Sequence, residues 1–148
     1  MISATFGKDV SPKSLTIEVT RVASGGEIEL ALRNESSKAL RIWREENSWG
    51  AARWRVLRVR RGELMVFFQS TTKVFTVNVP SSRELEVGNR LSIALDINES
   101  GWQGTDAIGG KLFAPGDLVV VIYDVPWSPE ASSTNVWFGV AAGAKTLD

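Results

Sequence analysis

Hydrophobic residues alternate with polar residues over much of this chain. Leu15, Ile17 and Val19 are separated by Thr16 and Glu18, and the same spacing recurs between short polar segments. A period of two places successive side chains on opposite faces of a β-strand, so each such segment predicts a strand with one face on the core. The predicted strands are residues 15–20, 27–33, 40–43, 54–60, 64–68, 74–79, 91–97, 118–123 and 135–140.

One segment, Leu118–Tyr123, is apolar without a break and follows Ala114-Pro115-Gly116-Asp117. Pro fixes φ and Gly supplies a positive φ, so Pro115-Gly116 predicts a tight turn. The segment itself is too short to span a bilayer and too β-branched to favour a helix, so it predicts a strand covered on both faces. No stretch shows a helical period. We therefore expect an all-β fold, an antiparallel β-sandwich of about eight or nine strands.

The alternation changes phase in the arginine-rich strand. Trp54 and Val56 share one face, but Leu57 and Val59 fall on the other. A regular strand would expose one of these pairs, so the sequence predicts a β-bulge between Val56 and Leu57.

The 148 residues suit one domain. We expect a core over residues 14–141, with residues 1–13 and 142–148 as terminal extensions and one long Gly-rich loop at 98–115. Residues 1–14 lack the apolar centre of a signal peptide. This predicts a cytoplasmic protein as written, or a mature periplasmic or secreted domain without its leader. No apolar run approaches the length of a membrane span, so no membrane partner is expected.

The chain has no cysteine and no histidine. Catalysis by Ser-His-Asp or Cys-His groups and zinc sites built from Cys and His are therefore excluded. Carboxylates remain for acid–base chemistry, but nothing in their spacing favours a pair; the candidates are Asp96, Glu99, Asp106 and Asp124. We predict that the protein is not an enzyme and uses no cofactor or metal.

Residues 96–101 resemble the start of a calcium loop, with side-chain oxygens at alternate positions and Gly101 sixth. The twelfth position is Ala107, where such a loop needs a bidentate Glu. This favours a strand end followed by a turn in which an Asp side chain bonds to nearby backbone.

Four segments resemble one known family. The segment 32–40 is similar to the L-x-N-x-S-x-x-x-L opening of the bacterial intracellular proteinase inhibitor family. Leu85–Gly88 resembles its L-x-x-G segment, and Ala114–Gly116 resembles its x-P-G-x-Y entry to a long strand. Val136–Gly139 is similar to a V-W-x-G end of related bacterial β-sandwich domains. The resemblance implies an immunoglobulin-like sandwich with an inhibitor-like function.

Three of the six tryptophans, Trp49, Trp102 and Trp127, fall in predicted loops, where a large apolar ring needs a reason. They are either anchors of a binding surface or caps over the open end of the sandwich. Arg53 and Arg55, together with three further arginines up to residue 61, would suit an acidic protein partner. The alternatives are a solvated face that pairs with Glu27, Glu29 and Glu63, or, less favoured, a nucleic-acid groove.

Overall charge argues against a nucleic-acid binder, because Lys plus Arg and Asp plus Glu both number 17. Residues 1–74 hold 13 of the basic and 8 of the acidic residues, and residues 75–148 hold 4 and 9. The sequence therefore favours a protein-binding sandwich, inhibitor-like or immunity-like, whose loop 98–113 and Trp102 block a partner. A carbohydrate-binding module that stacks sugars on the loop tryptophans is the alternative. A third interpretation is a subunit that pairs a strand edge with a copy of itself.

Overall fold

The structure is a computed structural model, and it describes residues 14–70, 75, 78–99, 101–104 and 111–148. This part of the chain contains ten β-strands and one short helix, α1 (Pro129–Thr134). The strands are β1 (Leu15–Val22), β2 (Glu27–Asn34), β3 (Leu40–Trp43), β4 (Trp54–Arg60), β5 (Glu63–Gln69), β6 (Ser82–Leu85), β7 (Arg90–Asp96), β8 (Trp102–Gln103), β9 (Leu118–Val125) and β10 (Gly139–Thr146). The predicted all-β class is confirmed, with ten strands in the described residues where about eight or nine were expected.

The strands form three antiparallel sheets. Their orders are β1-β2-β7, β10-β9-β4-β5-β8 and β3-β6. The inward residues of the two larger sheets meet in one hydrophobic core, to which Ile28 and Leu32 contribute from one sheet and Val56, Phe67 and Val121 from the other. The arrangement is a β-sandwich, because two sheets cover a shared apolar interior.

The first two strands, β1 and β2, pair as an antiparallel hairpin. Gly26, in the turn between them, has a φ of 109°, and a Cβ there would lie 2.7 Å from a side-chain carbon of Leu112. The turn therefore needs glycine for its backbone conformation and for its packing. The pairing shifts register between Val19 and Arg21, so β1 contains a β-bulge or a similar irregularity.

The predicted bulge in β4 is wrong. Its pairing with β5 and with β9 runs from Arg55 to Val59 without a shift. The alternation is kept because Arg58 points inward and is buried, while Leu57 and Val59 point outward. A long side chain with an apolar stem can occupy an inward position that the pattern assigns to an aliphatic residue.

The turn before β9 is the predicted one. The Asp117 backbone N–H donates to the Ala114 carbonyl oxygen at 3.1 Å, and Gly116 has a φ of 91°. β9 then lies between β4 and β10, with its inward residues buried and its outward residues, Leu118, Val120 and Ile122, half-buried. The described residues thus cover only the inward face of β9, whereas the sequence predicted that both of its faces would be covered. A continuous apolar run also arises when the outward face is itself apolar.

The end of the chain differs from the prediction. No stretch of the sequence shows a helical period, but α1 begins at Pro129, with the Ser128 hydroxyl accepting a 3.0 Å hydrogen bond from the Ala131 N–H. The last strand was expected over residues 135–140, but β10 extends to Thr146, beyond the expected core limit of 141. Alanine and glycine dominate β10, so its sequence lacks the large apolar residues that mark a strand.

Part of one predicted strand, 74–79, lies outside the described residues, as does much of the Gly-rich loop. β6 and β8 were not predicted, and both are short. Among the described residues, no helix has the length and apolar character needed to cross a membrane.

Candidate functional site

All five residues proposed for binding lie at one end of the five-stranded sheet. At this end β4, β8 and β10 begin while β5 and β9 end, and we call it the Trp127 end. The residues in question are Trp49, Arg53, Arg55, Trp102 and Trp127. Antiparallel pairing brings these positions together although they are spread over 78 positions of sequence, from 49 to 127.

Trp49 belongs to a loop held by a buried asparagine. The Asn47 side-chain oxygen accepts hydrogen bonds from the N–H groups of Trp49 and Gly50, both at 3.0 Å, and its amide donates to the Ser81 carbonyl oxygen at 2.9 Å. The Trp49 ring packs against Trp43, with the ring centroids 5.9 Å apart. The ring is half-buried, so its main contact is with the core.

Arg53 supports the same loop. Its Nε donates to the Trp49 carbonyl oxygen at 2.8 Å, and one terminal nitrogen donates to the Ser48 carbonyl oxygen at 3.4 Å. These bonds direct the guanidinium toward the chain's own backbone. Arg53 therefore positions the loop and has fewer donors left for a partner.

Trp102 lies in β8, opposite Gln69 at the edge of the sheet. Its ring is half-buried and packs on the hydrophobic core. The Gln69 side chain accepts a 3.3 Å hydrogen bond from the Trp54 N–H, so the same corner also fixes the start of β4. Trp102 thus covers the core at this corner. Residues 100 and 105–110 of the loop around it are outside the described residues.

Trp127 is the exposed member of the group. It follows the end of β9 by two residues, and 60% of its surface is accessible. Ser128, the next residue, is the N-cap of α1, and Pro129 is its first residue, so rigid elements flank the ring on both sides. A large apolar ring held in this way is suited to act as an anchor in a partner's pocket.

Arg55 projects from the outward face of β4. It pairs with Asp124 at 3.4 Å, and more than half of its side chain is exposed. An exposed ion pair at this distance contributes little to stability. Both side chains can therefore give up this contact and pair with charged groups of a partner. Phe68, opposite Arg55 on β5, adds an exposed ring next to it.

The last three arginines of this segment do not join this surface, because Arg58 and Arg60 lie further along β4 and Arg61 lies in the turn after it. Arg60 binds Asp117 near the opposite end of β4, with distances of 2.7 and 2.8 Å to the two carboxylate oxygens. Arg58 is buried, and donates to the Leu112 carbonyl oxygen at 2.7 Å. The expected pairing with Glu27 and Glu29 is wrong, since these residues lie on β2, in the other large sheet. Glu29 instead pairs with Arg21 at 3.0 Å.

Asp117 is a buried carboxylate in the turn before β9. Its side chain is 1% exposed and accepts two bonds from Arg60 and one, of 2.8 Å, from the Ala114 N–H. The hydrogen bonds from Arg60 lower the pKa of Asp117, although burial acts in the other direction. Three donors occupy this carboxylate, so its role is to fasten the turn before β9 to the end of β4.

Sequence reasoning missed two features. Arg58 is a buried cation whose Nε has no hydrogen-bond partner in the described part of the chain. The second is the outward face of the five-stranded sheet, which is apolar across β10, β9, β4 and β5. The unbroken apolar run of β9 was the signal for this second feature, since it shows that both faces of that strand are apolar.

The residues considered for calcium or catalysis form turns and surface pairs. The Asp96 carboxylate accepts a 3.0 Å bond from the Asn98 N–H, which confirms the predicted turn after β7. Asp106 and Ala107 lie outside the described residues. Within the described ranges, no group of three or more Asp, Glu, His or Cys residues is arranged to hold a metal.

The fold and the Trp127 end together define a β-sandwich with an exposed aromatic ring and exposed charged side chains at one end of its five-stranded sheet. Comparison with protein-family models, with curated proteins and with solved structures gives no match for this chain.

Proposed function

We propose that this protein is a non-enzymatic protein-binding domain, inhibitor-like or immunity-like, which covers part of a partner's surface with the Trp127 end of its sheet. The observation that carries the proposal is the exposed Trp127 ring, held between β9 and α1. Arg55, Asp124 and Phe68 supply charge and a further ring on the outward face of the same end. A central aromatic residue with charged neighbours has the composition of an interface hot spot.

The proposal includes an immunoglobulin-like topology. Two facing antiparallel sheets support it, as does the contact between two of the family-like segments. Asn34, in the first segment, donates a side-chain hydrogen bond to the Leu85 carbonyl oxygen in the second. In such a sandwich the loops at one end are held on rigid strands, and occlusion of a partner needs surfaces that are held in this way.

The anchor differs from the one that the sequence favoured. Trp102 and Trp49 pack on the core, so their removal should lower stability, whereas removal of Trp127 should lower affinity. A hot-spot tryptophan contributes about 2 kcal/mol or more to binding, which corresponds to an increase in Kd of roughly 30-fold on truncation to alanine.

The experiment compares two tryptophan variants. Partners are captured from the native cell lysate on wild-type protein, identified and purified, and their Kd is measured by calorimetry for wild type, Trp127→Ala and Trp102→Ala. We expect Trp127→Ala to weaken binding at an unchanged melting temperature. Trp102→Ala should lower the melting temperature by several degrees. Equal Kd values for wild type and Trp127→Ala would overturn the proposed surface.

A carbohydrate-binding module is the second candidate, and Trp127 is the observation that favours it, because an exposed planar ring can stack on a sugar. The test is the fluorescence of wild type and Trp127→Phe, titrated with soluble polysaccharides. A change that the variant lacks supports the carbohydrate function. No change across a glycan array removes it.

A further inference from the structure

The outward face of the five-stranded sheet carries three consecutive rows of side chains. The strand register places Ala144, Val120, Leu57 and Val66 side by side in the middle row. Thr146, Leu118, Val59 and Leu64 form the row on one side, and Ala142, Ile122, Arg55 and Phe68 form the row on the other. Apart from Thr146 and Arg55, every residue of these rows is apolar.

This face is open to solvent in the single chain. Leu64 is 61% exposed, Phe68 41% and Val66 39%, and Val140, which follows the same outward face of β10, is 54% exposed. The remaining aliphatic residues of the rows are half-buried by their strand neighbours or, in the case of the β10 alanines, exposed. An apolar surface of this kind is stabilised when another surface removes it from water.

Four strands span about 19 Å, and three rows of side chains, each two residues from the next, span about 20 Å, so the face has a footprint of roughly 400 Å². The largest apolar patch on a single-chain protein typically covers about 300–600 Å² and often marks an interaction site, and this face falls within that range. Side chains that stand up from the sheet raise its accessible area above the footprint, toward the roughly 800 Å² that each partner contributes to a stable complex.

We propose that this face is the contact between two copies of this chain, which stack their five-stranded sheets face to face. A sheet surface fits another of the same twist, and stacked sheets pack about 10 Å apart with their side chains interdigitated. A twofold contact must also be self-complementary. The charges at the rim meet this condition, because Arg55 and Asp124 have opposite signs and both stay partly exposed.

The charge of the whole chain also favours a second copy. Lys plus Arg and Asp plus Glu are equal in number, so two copies approach without net repulsion. The contact shares Arg55, Asp124 and Phe68 with the Trp127 end proposed for a foreign partner, but its centre is the middle row, around Leu57 and Val66, and Trp127 is not one of its residues. The two proposals can therefore fail separately.

The test is the mass in solution, measured by sedimentation equilibrium between about 1 and 100 µM, where contacts of this size dissociate. We expect wild type to approach twice 16.2 kDa as its concentration rises. Val66→Lys, at the centre of the face, should raise the dimer Kd at least about 100-fold, because it places a charge in the apolar contact. The matched control Val87→Lys, at an exposed valine before Gly88, should leave the Kd unchanged.

A conservative variant guards against misfolding. Val66→Thr keeps the shape and the β-branched side chain, and we expect a rise in Kd of about 10-fold with an unchanged far-ultraviolet spectrum. A wild-type protein that stays at 16.2 kDa throughout overturns the proposal, and so does a dimer that survives Val66→Lys. Residues 1–13, which lie outside the described residues, are the alternative occupant of this face, and a chain that becomes dimeric only after their deletion would also overturn the proposal.

Discussion

The side-chain amide of Asn34 donates a 2.9 Å hydrogen bond to the carbonyl oxygen of Leu85, across 51 positions of sequence. The same amide donates to the Lys38 carbonyl oxygen at 2.8 Å, and its oxygen accepts bonds from the Ser36 N–H and hydroxyl. Asn34 is fully buried. One polar side chain therefore holds the end of β2, the turn after it and the end of β6.

Replacement of this asparagine should be costly. We expect Asn34→Ala to lower the free energy of unfolding by about 2–4 kcal/mol, because buried carbonyl and N–H groups lose their partners. Urea unfolding followed by tryptophan fluorescence measures this change. The control is Asn78→Ala, whose amide binds Ser48 on the surface, and it should cost less than about 1 kcal/mol. Similar costs for the two variants would contradict the role of Asn34.

The Arg60–Asp117 pair makes the folding stability depend on pH in the acidic range. Because Arg60 lowers the pKa of Asp117, the folded carboxyl stays ionised to a lower pH than the unfolded one. Its contribution is therefore complete above the ordinary Asp pKa of about 3.9, and is lost as pH falls through the lowered folded value. Asp117→Asn should remove this part of the acid sensitivity and cost about 1–3 kcal/mol at pH 7.

Urea unfolding at a series of pH values from 7 to 2 measures both effects. Asp124→Asn, which breaks the exposed pair with Arg55, is the control and should change stability by less than about 1 kcal/mol. If Asp117→Asn kept the wild-type loss of stability below pH 4, other carboxyls would be responsible for it.

Arg58 tests the cost of a buried cation. In the described part of the chain it donates to the Leu112 carbonyl oxygen and the Met65 sulfur but to no carboxylate, and its charge is only the smallest of the causes that lower the pKa of Asp117. Replacement by an apolar side chain of similar length should therefore be tolerated. We expect Arg58→Met to have a free energy of unfolding within about 1 kcal/mol of wild type, or higher, and Arg58→Ala to lose about 1–3 kcal/mol through lost packing. A large loss in Arg58→Met would show that the charge itself stabilises the fold.

Gly143 allows β1 to approach β10. A Cβ at this position would lie 2.4 Å from the backbone carbonyl oxygen of Ile17, so backbone would have to move. We expect Gly143→Ala to lower the melting temperature by several degrees, corresponding to about 1–3 kcal/mol. Gly25→Ala is the control, because the space around Gly25 is open to 4 Å, and it should leave the melting temperature unchanged or raise it slightly.

The strands with large alternating side chains were predictable, as β1, β2 and β7 show. The turn at Pro115-Gly116 was also predictable, because the two residues restrict the backbone in complementary ways. β10 was placed too early, since its alanines and glycines fit beneath Ile17 and its strand character depends on pairing with β9. A sequence pattern does not contain that distant contact.

The sequence predicted which residues lie at the candidate site better than it predicted what each side chain does there. Arg53 and Trp49 were chosen for their chemistry, but they hold the loop that contains them. Whether a tryptophan faces the core or the solvent depends on which strand pairs beside it. The pairing of Trp102 with Gln69 of β5 is an example. The inward direction of Arg58 was not predictable either, because a charged residue normally lies on the solvent face of a strand.

The seam between β1 and β10 affects how this domain is made. The Trp137 indole, just before β10, donates to the Ser14 hydroxyl, just before β1, at 3.0 Å across 123 positions, so β1 can pair with β2 early but meets β10 only after nearly all of these residues exist. During translation, the apolar face of the β1–β2 hairpin stays exposed to solvent until the strands that cover it have been synthesised. Closure of the sandwich should thus be a late and slow event, and a ribosome stalled before residue 139 should hold a chain that proteases cut readily.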